Sequence, residues 1–531
     1  MAMNTRALLF TTTLTLSAGF ATSALAGEHG QLFSTCGTDS VAQQRQLHGA
    51  GILKADALEF RLTDDQIQAL NEHQIELLLN IEELAYEGMP APHVCLHPDT
   101  DPKIADAFEQ FLQDLWFETR PNAFILSGRW SVTATNGAGL QQGDATTLTY
   151  SFVPDGTNII GEGSSNLQST MNSIIGNGTW QSLFDQALNA WSDVSGLNYV
   201  NEPNDDGVSI SGFGSGAAGQ LGIRGDVRIS GNFIDGGGNV LAYNYFPNNG
   251  DMVIDTGDSG FYSNGSNNYR RLRNVVTHEA GHGIGLAHVE SDSDRFLMEP
   301  FIDTSFDGPQ IDDIRGAQRG YGDIDENNNS FGSATDFASA TFRGGGFVGG
   351  QTKSITLRSM DDNSDVDYYS LTTAEPVTLS LFLSPTGGQY QNTAQGGGGG
   401  GAFFDAESVS DLNIKVADIT TSILADVDAE PAGEDEALVV ELPDPGQYFI
   451  IVDNDNTNNI QTYSLLAFFT TLEVETCDPD FNEDGELDFF DISAFLTAYG
   501  NQEAQADYNN DGEFDFFDIS SFLTDYGAGC P

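Results

Sequence analysis

Apolar residues recur along this chain with two different periods, and the changes of period divide it into several units. Ile67, Leu70, Ile75, Leu78, Leu79 and Ile81 are spaced as one helix face, with Asp64 and Asp65 near its start. Ile104, Phe108, Phe111, Leu112 and Leu115 predict a second helix. Residues 27–126 therefore read as a largely helical region, either a pro-region or an independent module. From about Arg129 the texture turns strand-like, with Leu148, Tyr150 and Phe152 alternating with polar neighbours. Trp180, Leu183, Phe184, Ala187 and Trp191 return to the helical period. Short strand runs follow at 227–229 and 252–254, and Leu272, Val275 and Val276 predict another helix. Beyond Gly322 a polar linker, 323–330, opens a stretch with strand runs at 378–383, 412–416, 448–452 and 463–468. No helical pattern interrupts residues 331–475, which predicts a β-sandwich; the glycine run 396–401 is a flexible loop.

The tail contains a repeat. Asp480-Phe481-Asn482-Glu483-Asp484-Gly485 recurs 27 residues later as Asp507-Tyr508-Asn509-Asn510-Asp511-Gly512. Asp480, Asn482, Asp484, Asp488 and Asp491 hold positions 1, 3, 5, 9 and 12 of a calcium loop, as do Asp507, Asn509, Asp511, Asp515 and Asp518. Gly485 and Gly512 supply the sharp turn at position 6. One helical pattern follows each loop: Ile492, Phe495, Leu496 and Tyr499, then Ile519, Phe522, Leu523 and Tyr526. Loop and single helix, twice, with Asp at position 12, resembles a dockerin over residues 476–531. That resemblance implies a small α-helical module, two Ca²⁺ and a cohesin-like or cell-envelope partner.

Charge narrows the function. The 531 residues carry 19 Lys plus Arg against 78 Asp plus Glu, a net charge of −59, which excludes binding to phosphate backbones. Arg6 is the only charge before Glu28, and the small apolar run ending in Ala24-Leu25-Ala26 reads as a secretory signal over 1–26. No later run approaches the ~18 apolar residues of a membrane span. An exported chain with four cysteines predicts two disulfides, each local to one module: Cys36–Cys95 and Cys477–Cys530.

The strongest chemical signal is His278-Glu279-Ala280-Gly281-His282, continued by Gly285 and His288. On a helix, His278 and His282 share a face and can bind one zinc, with Glu279 beside them as general base. Gly285 allows the chain to turn back, so that His288 supplies a third nitrogen and leaves one coordination position open. Met298 follows ten residues later. This pattern resembles the metzincins, and with the stretch from Asp312 to Gly322 it is most similar to the matrixins, over residues 127–323. The resemblance implies an α+β catalytic domain, one catalytic Zn²⁺, zinc endopeptidase activity and a turn at Met298 packed under the metal.

Departures from that family are also visible. Tyr243 and Met252 stand where histidines of a second, structural zinc are expected, and no histidine lies between His97 and His278. Asp226, Asp251 and Asp255 leave room for calcium in the catalytic domain, although single loop acids are more often solvated. The family's Pro-Arg-Cys-Gly switch is missing. Cys36-Gly37-Thr38 faintly resembles the cysteine latches of other metzincins, so Cys36 is either a zinc-capping thiol or a disulfide partner. His93 and His97 read as exposed loop histidines, and Gly214, Gly216 and Gly219 as a plain loop.

Segments 365–371, 446–452 and 461–465 are similar to the pre-peptidase C-terminal domain, which implies an accessory role for residues 324–475. Together these readings predict a secreted zinc endopeptidase acting on proteins or peptides through zinc-activated water, with Glu279 as base. The alternative is a non-catalytic envelope or adhesion protein with a structural zinc and a calcium-dependent docking tail.

Overall fold

The computed structural model describes residues 61–86, 92–115, 124–211, 218–291, 295–337, 346–394, 403–455, 458–472 and 479–529. The expected signal, Cys36, Cys477, Cys530, the 396–401 run and most of the 214–219 loop lie outside them. No helix among the described residues is long and apolar enough to cross a membrane.

The N-terminal region forms helices α1 (Asp64–Ala69), α2 (Glu72–Tyr86) and α3 (Pro102–Leu115). Thr63 opens α1 with a reciprocal cap: its hydroxyl accepts from the Gln66 N–H and its own N–H donates to the Gln66 side chain. Leu77, Leu78 and Ile81 of α2 pack with Phe108 and Phe111 of α3 in a cluster that includes Val240, Tyr243 and Val253. The run expected to form one helix from Asp64 through Ile81 is broken at Leu70, whose backbone is extended, into α1 and α2, and these apolar faces with that of α3 cover one side of the central sheet.

That sheet has six strands: β1 (His93–Leu96), β2 (Thr146–Phe152), β3 (Leu197–Asn201), β4 (Val227–Asn232), β5 (Val240–Asn244) and β6 (Met252–Asp255), in the order β1-β5-β6-β4-β2-β3. Strands β6, β4, β2 and β3 run parallel, whereas β5 is antiparallel to β6 and β1 to β5. On the other face lie α4 (Leu167–Ile174), α5 (Thr179–Ser192) and α6 (Arg270–Gly283). Trp180, Phe184 and Trp191 of α5 meet Leu272, Val275 and Val276 of α6 over Ile229 and Ile254. The Trp191 indole donates to the Thr277 carbonyl at 2.8 Å, fixing α6 along the sheet. Helices on both faces explain why every residue of β5 and β6 is buried.

Helix α7 (Ile311–Tyr321) closes this unit and carries the contacts to the next. Arg315 donates to the Ile460 carbonyl at 3.0 Å and Gln318 to the Leu357 carbonyl at 2.9 Å. Residues 335–471 form a five-stranded and a four-stranded sheet. Tyr369, Leu371, Ile414 and Ile450 of the first share one core with Leu379, Leu381, Leu438 and Leu465 of the second. In the tail, α8 (Phe489–Asn501) and α9 (Phe516–Ala528) stack Phe495 on Phe522 with ring centroids 4.1 Å apart. Gly485 and Gly512 take φ of 83° and 84°, the left-handed turns their positions require.

Candidate active site

Helix α6 presents His278 and His282 one turn apart, both fully buried. The chain turns just past its end at Gly285, where φ is +107° and an added Cβ would meet the Gly128 carbonyl oxygen at 1.9 Å. Only glycine makes this turn, and the turn brings His288 to face the helix. The three Nε2 atoms lie 3.1 Å from one another in every pairing. His278 Nδ1 and His282 Nδ1 each lie 2.6 Å from a carbonyl, of Leu297 and Leu286. A carbonyl only accepts, so these Nδ1 atoms carry the protons and the Nε2 lone pairs point inward. Burial keeps both rings neutral, with His278 pushed down to about 4 and His282 well below the usual histidine range. The Nε2 lone pairs of His278 and His282 thus converge with Nε2 of His288, an arrangement that a shared cation stabilises. Their spacing is close to the ~3.3 Å of tetrahedral nitrogens ~2.05 Å from a zinc ion, so the donor set fits that metal.

The floor of the site is built by packing. A Cβ on Gly281 would meet Met298 Sδ at 2.4 Å, so glycine is what lets Met298 lie under the helix. Asp313 of α7 accepts from the N–H groups of Leu297 (2.8 Å), Met298 (3.1 Å) and Gln310 (2.8 Å), fixing the turn from which Leu297 orients His278. Burial raises the Asp313 carboxyl to about 7 against these three hydrogen bonds. Sequence alone assigns Asp313 no role; its place in the first turn of α7 is the one local signal it carries. Glu279 is fully buried, and neither carboxylate oxygen has a hydrogen-bond partner. Its proton affinity is raised well above the usual range by burial.

Strand β1 crosses this site. It pairs His93 with Asn244, Val94 with Tyr243 and Cys95 with Ala242, completing the exposed edge of β5. Its other edge is held too: the Leu96 N–H donates to the Pro300 carbonyl at 2.9 Å, and the Ile302 N–H to the Leu96 carbonyl at 3.1 Å. His93, read as exposed, is buried with its ring centroid 5.1 Å from His282 and 4.8 Å from His288. Cys95 is a free, fully buried thiol whose sulfur lies within 4.8 Å of ligand atoms of His278 and Glu279. The expected Cys36–Cys95 disulfide is thereby corrected: Cys95 faces the histidine site. The cysteine-latch expectation also fell on Cys36, whereas the thiol at the site is Cys95. Cys36 and the expected Cys477–Cys530 pair lie outside the described residues.

Asp226, Asp251 and Asp255 each accept backbone hydrogen bonds. Asp226 accepts from the N–H groups of Ala134 and Thr149, and Asp255 from those of Ile234, Asp235, Gly236 and Gly257. Asp251 accepts from the Arg228 N–H at 2.9 Å. Tyr243, in place of a structural-zinc histidine, donates to Glu162 at 2.7 Å, and Met252 is core. In the tail, Asp480 and Asp507 accept from the N–H groups of Gly485 and Gly512 at 2.9 Å, so each loop already curls round its own carboxylates. Asp491 and Asp518 are buried behind the loops and accept from the Asp488 and Asp515 N–H groups at 2.8 Å.

Residues 166–322 match the Matrixin family. Over 140 residues the chain is 35% identical to the hatching enzyme of Paracentrotus lividus, an overlap of 26% of this chain and 22% of that protein. Over 145 residues it is 28% identical to human matrix metalloproteinase-17, covering 27% of this chain and 21% of that one. The chain therefore spans about a fifth of the length of these relatives. A lysozyme inhibitor of Aeromonas hydrophila, PliG, aligns with 25% of this chain and 93% of its own at 15% identity, but its TM-score of 0.15 carries no argument. The histidine triad, the turn at Met298 and helix α7 all fall inside the stretch that matches the Matrixin family.

Proposed function

We propose that this chain is a secreted, zinc-dependent endopeptidase acting on protein or peptide substrates, with Glu279 as general base. One observation carries the reading: an unpartnered, buried carboxylate stands beside three converging imidazole nitrogens. Zinc held by His278, His282 and His288 supplies a Lewis acid that polarises a peptide carbonyl and makes water nucleophilic near neutral pH. Glu279, its proton affinity raised by burial, takes a proton from the attacking water and returns it to the leaving amine. Leu297 and Leu286 hold the imidazole tautomers through their carbonyls, and Asp313 holds Leu297.

Residues 27–126 act as a pro-region in this reading. Strand β1 is gripped on both edges as an extended peptide is gripped by strand addition, which supports it as an occupant of the substrate groove. The two-sheet unit serves as an accessory of pre-peptidase C-terminal type. The tail serves as a dockerin-like, calcium-bound attachment to a cohesin-like or envelope partner, and the near-identical hydrogen bonding of its two loops supports that. Gelatin or casein cleavage by the processed chain, abolished by a zinc chelator and restored by Zn²⁺, tests the reading. A processed chain that binds zinc and cleaves neither would favour the non-catalytic envelope protein instead.

A further inference from the structure

The segment that carries the third histidine is held partly from outside the stretch that matches the Matrixin family. His288 leads directly into the short strand Val289–Ser291, whose two edges are covered by different parts of the chain. On one edge the Val289 N–H donates to the Met298 carbonyl at 3.0 Å and the Ser291 N–H to a Glu299 carboxylate oxygen at 2.8 Å. On the other edge lies Asn392–Ala394, a strand projecting from the two-sheet unit. It runs antiparallel and pairs Val289 with Ala394, Glu290 with Thr393 and Ser291 with Asn392. Successive residues of a strand turn their backbone polar groups to opposite edges. With Val289 and Ser291 turned to the Met298 side, Glu290 between them faces Thr393 with its N–H and carbonyl.

The approach to that strand is anchored as well. Tyr390, two residues before it, sets its ring edge-on to Phe296 with centroids 5.2 Å apart, and Phe296 lies two residues before Met298. The Tyr390 hydroxyl donates to Asp312 at 2.5 Å and accepts from the fully buried Arg315 at 2.7 Å. Tyr390 thus ties the segment before the Met298 turn to the start of α7, where the neighbouring Asp313 holds Leu297.

We propose that the two-sheet unit positions the third zinc ligand: the backbone of Thr393, with Tyr390 behind it, fixes Val289–Ser291 and thereby the imidazole of His288. The inference rests on the zinc reading above and makes the accessory unit a support of the metal site. His278 and His282 need no such support, because α6 sets their spacing and the Leu297 and Leu286 carbonyls set their tautomers. His288 stands outside the helix, beyond the turn at Gly285, so its direction follows from what holds the chain on either side. Before it, the Ala287 N–H donates to the Ile125 carbonyl at 2.9 Å; after it, the Met298 turn and the strand Asn392–Ala394 grip the two edges. Groups that orient a metal-bound histidine carry roughly 10- to 100-fold in metal affinity. Thr393 and Tyr390 are positioning residues in this sense, acting through the strand that follows His288.

The test compares three variants of the full chain with the wild type. Thr393→Pro deletes the N–H that faces Glu290 and sets a ring against the strand. Its zinc affinity, measured by competition with a chelator, should fall at least about tenfold. The two helix histidines remain, so excess Zn²⁺ should still fill the site. The visible absorption of the Co²⁺-substituted chain should change in the same variant, because that band reports ligand geometry at the metal. Thr393→Ala keeps the backbone and should restore both the affinity and the spectrum. Tyr390→Phe loses the link to Asp312 and Arg315 and should weaken zinc binding in the same direction by a smaller factor. Circular dichroism and thermal unfolding identify a misfolded Thr393→Pro chain, in which case Tyr390→Phe decides. Wild-type zinc affinity and cobalt spectrum in the folded variants, or equal weakening by Thr393→Ala, would overturn the positioning role. A wild-type chain that binds no zinc would overturn the zinc reading itself, and this inference with it; neither readout depends on proteolysis.

Discussion

The Cys95 sulfur and a Glu279 carboxylate oxygen lie within 4.8 Å of each other, both fully buried, although 184 positions separate them in the chain. A thiol thus stands beside the unpartnered acid of the triad helix, inside the candidate site. Burial, Glu279 and Asp258 all raise its proton affinity, so without a metal it stays a neutral thiol.

Access to the site should therefore depend on β1. The uncleaved chain is expected to be inactive on gelatin, and cleavage anywhere in 98–126 followed by loss of β1 should release activity. His93→Ala, which removes the ring packed on His282 and His288, should raise activity of the uncleaved chain at least about tenfold. Cys95 should resist a maleimide in the uncleaved chain. Ready labelling, or full activity with β1 still attached, would refute the pro-region reading.

Glu279→Ala should reduce turnover of the processed enzyme by at least about 10²-fold while zinc content stays at one per chain. His278 and His282 are oriented through the Leu297 and Leu286 carbonyls, not through Glu279, so metal and activity should separate. Retention of a tenth of the wild-type rate would exclude Glu279 as the base.

Metal analysis of residues 127–323 should return one zinc. Tyr243 is committed to Glu162, and Met252 is buried core, so the places of a second histidine site are filled by packing. Two zincs per chain would contradict this.

Two buried acids near the junction of α7 with the sandwich, Asp323 and Asp361, give stability a pH dependence. Asp361 rises from 3.8 to about 7 and Asp323 from 3.8 to about 6, so the folded state holds protons that the unfolded chain has released. Stability should then be highest below about pH 4 for these groups and fall as pH rises to about 7. Thermal unfolding at pH 4.5, 5.5 and 7 measures the slope; replacing Asp361 by Asn should flatten it, and an unchanged slope in that variant would contradict the linkage.

The tail should fold only with calcium. Its buried core is Phe495, Ala498, Ala506 and Phe522, too little to oppose fourteen acids and no base in residues 476–531. A 476–531 peptide should gain helical circular dichroism on adding CaCl₂ and lose it with a chelator. A spectrum already helical without metal would refute the calcium loops.

What the sequence by itself determined was everything governed by local spacing. The period of 3.6 placed α2, α3, α5 and α6, and His278 and His282 had to share a face because four residues are one turn. Gly285 and the loop glycines Gly485 and Gly512 declared their turns through a φ that other residues avoid. The tertiary structure decided what depends on strand pairing across long separations. His93 and Cys95 meet the triad only because β1 completes the open edge of β5, a pairing set by which edge is free and not by any local signal. Evenness of the cysteine count suggested a disulfide, but β1 buries Cys95 against His278, out of reach of solvent. Likewise Glu326 reads only as part of a polar linker; the packing of α7 on the sandwich is what brings it within 4.8 Å of Asp365 and Asp367.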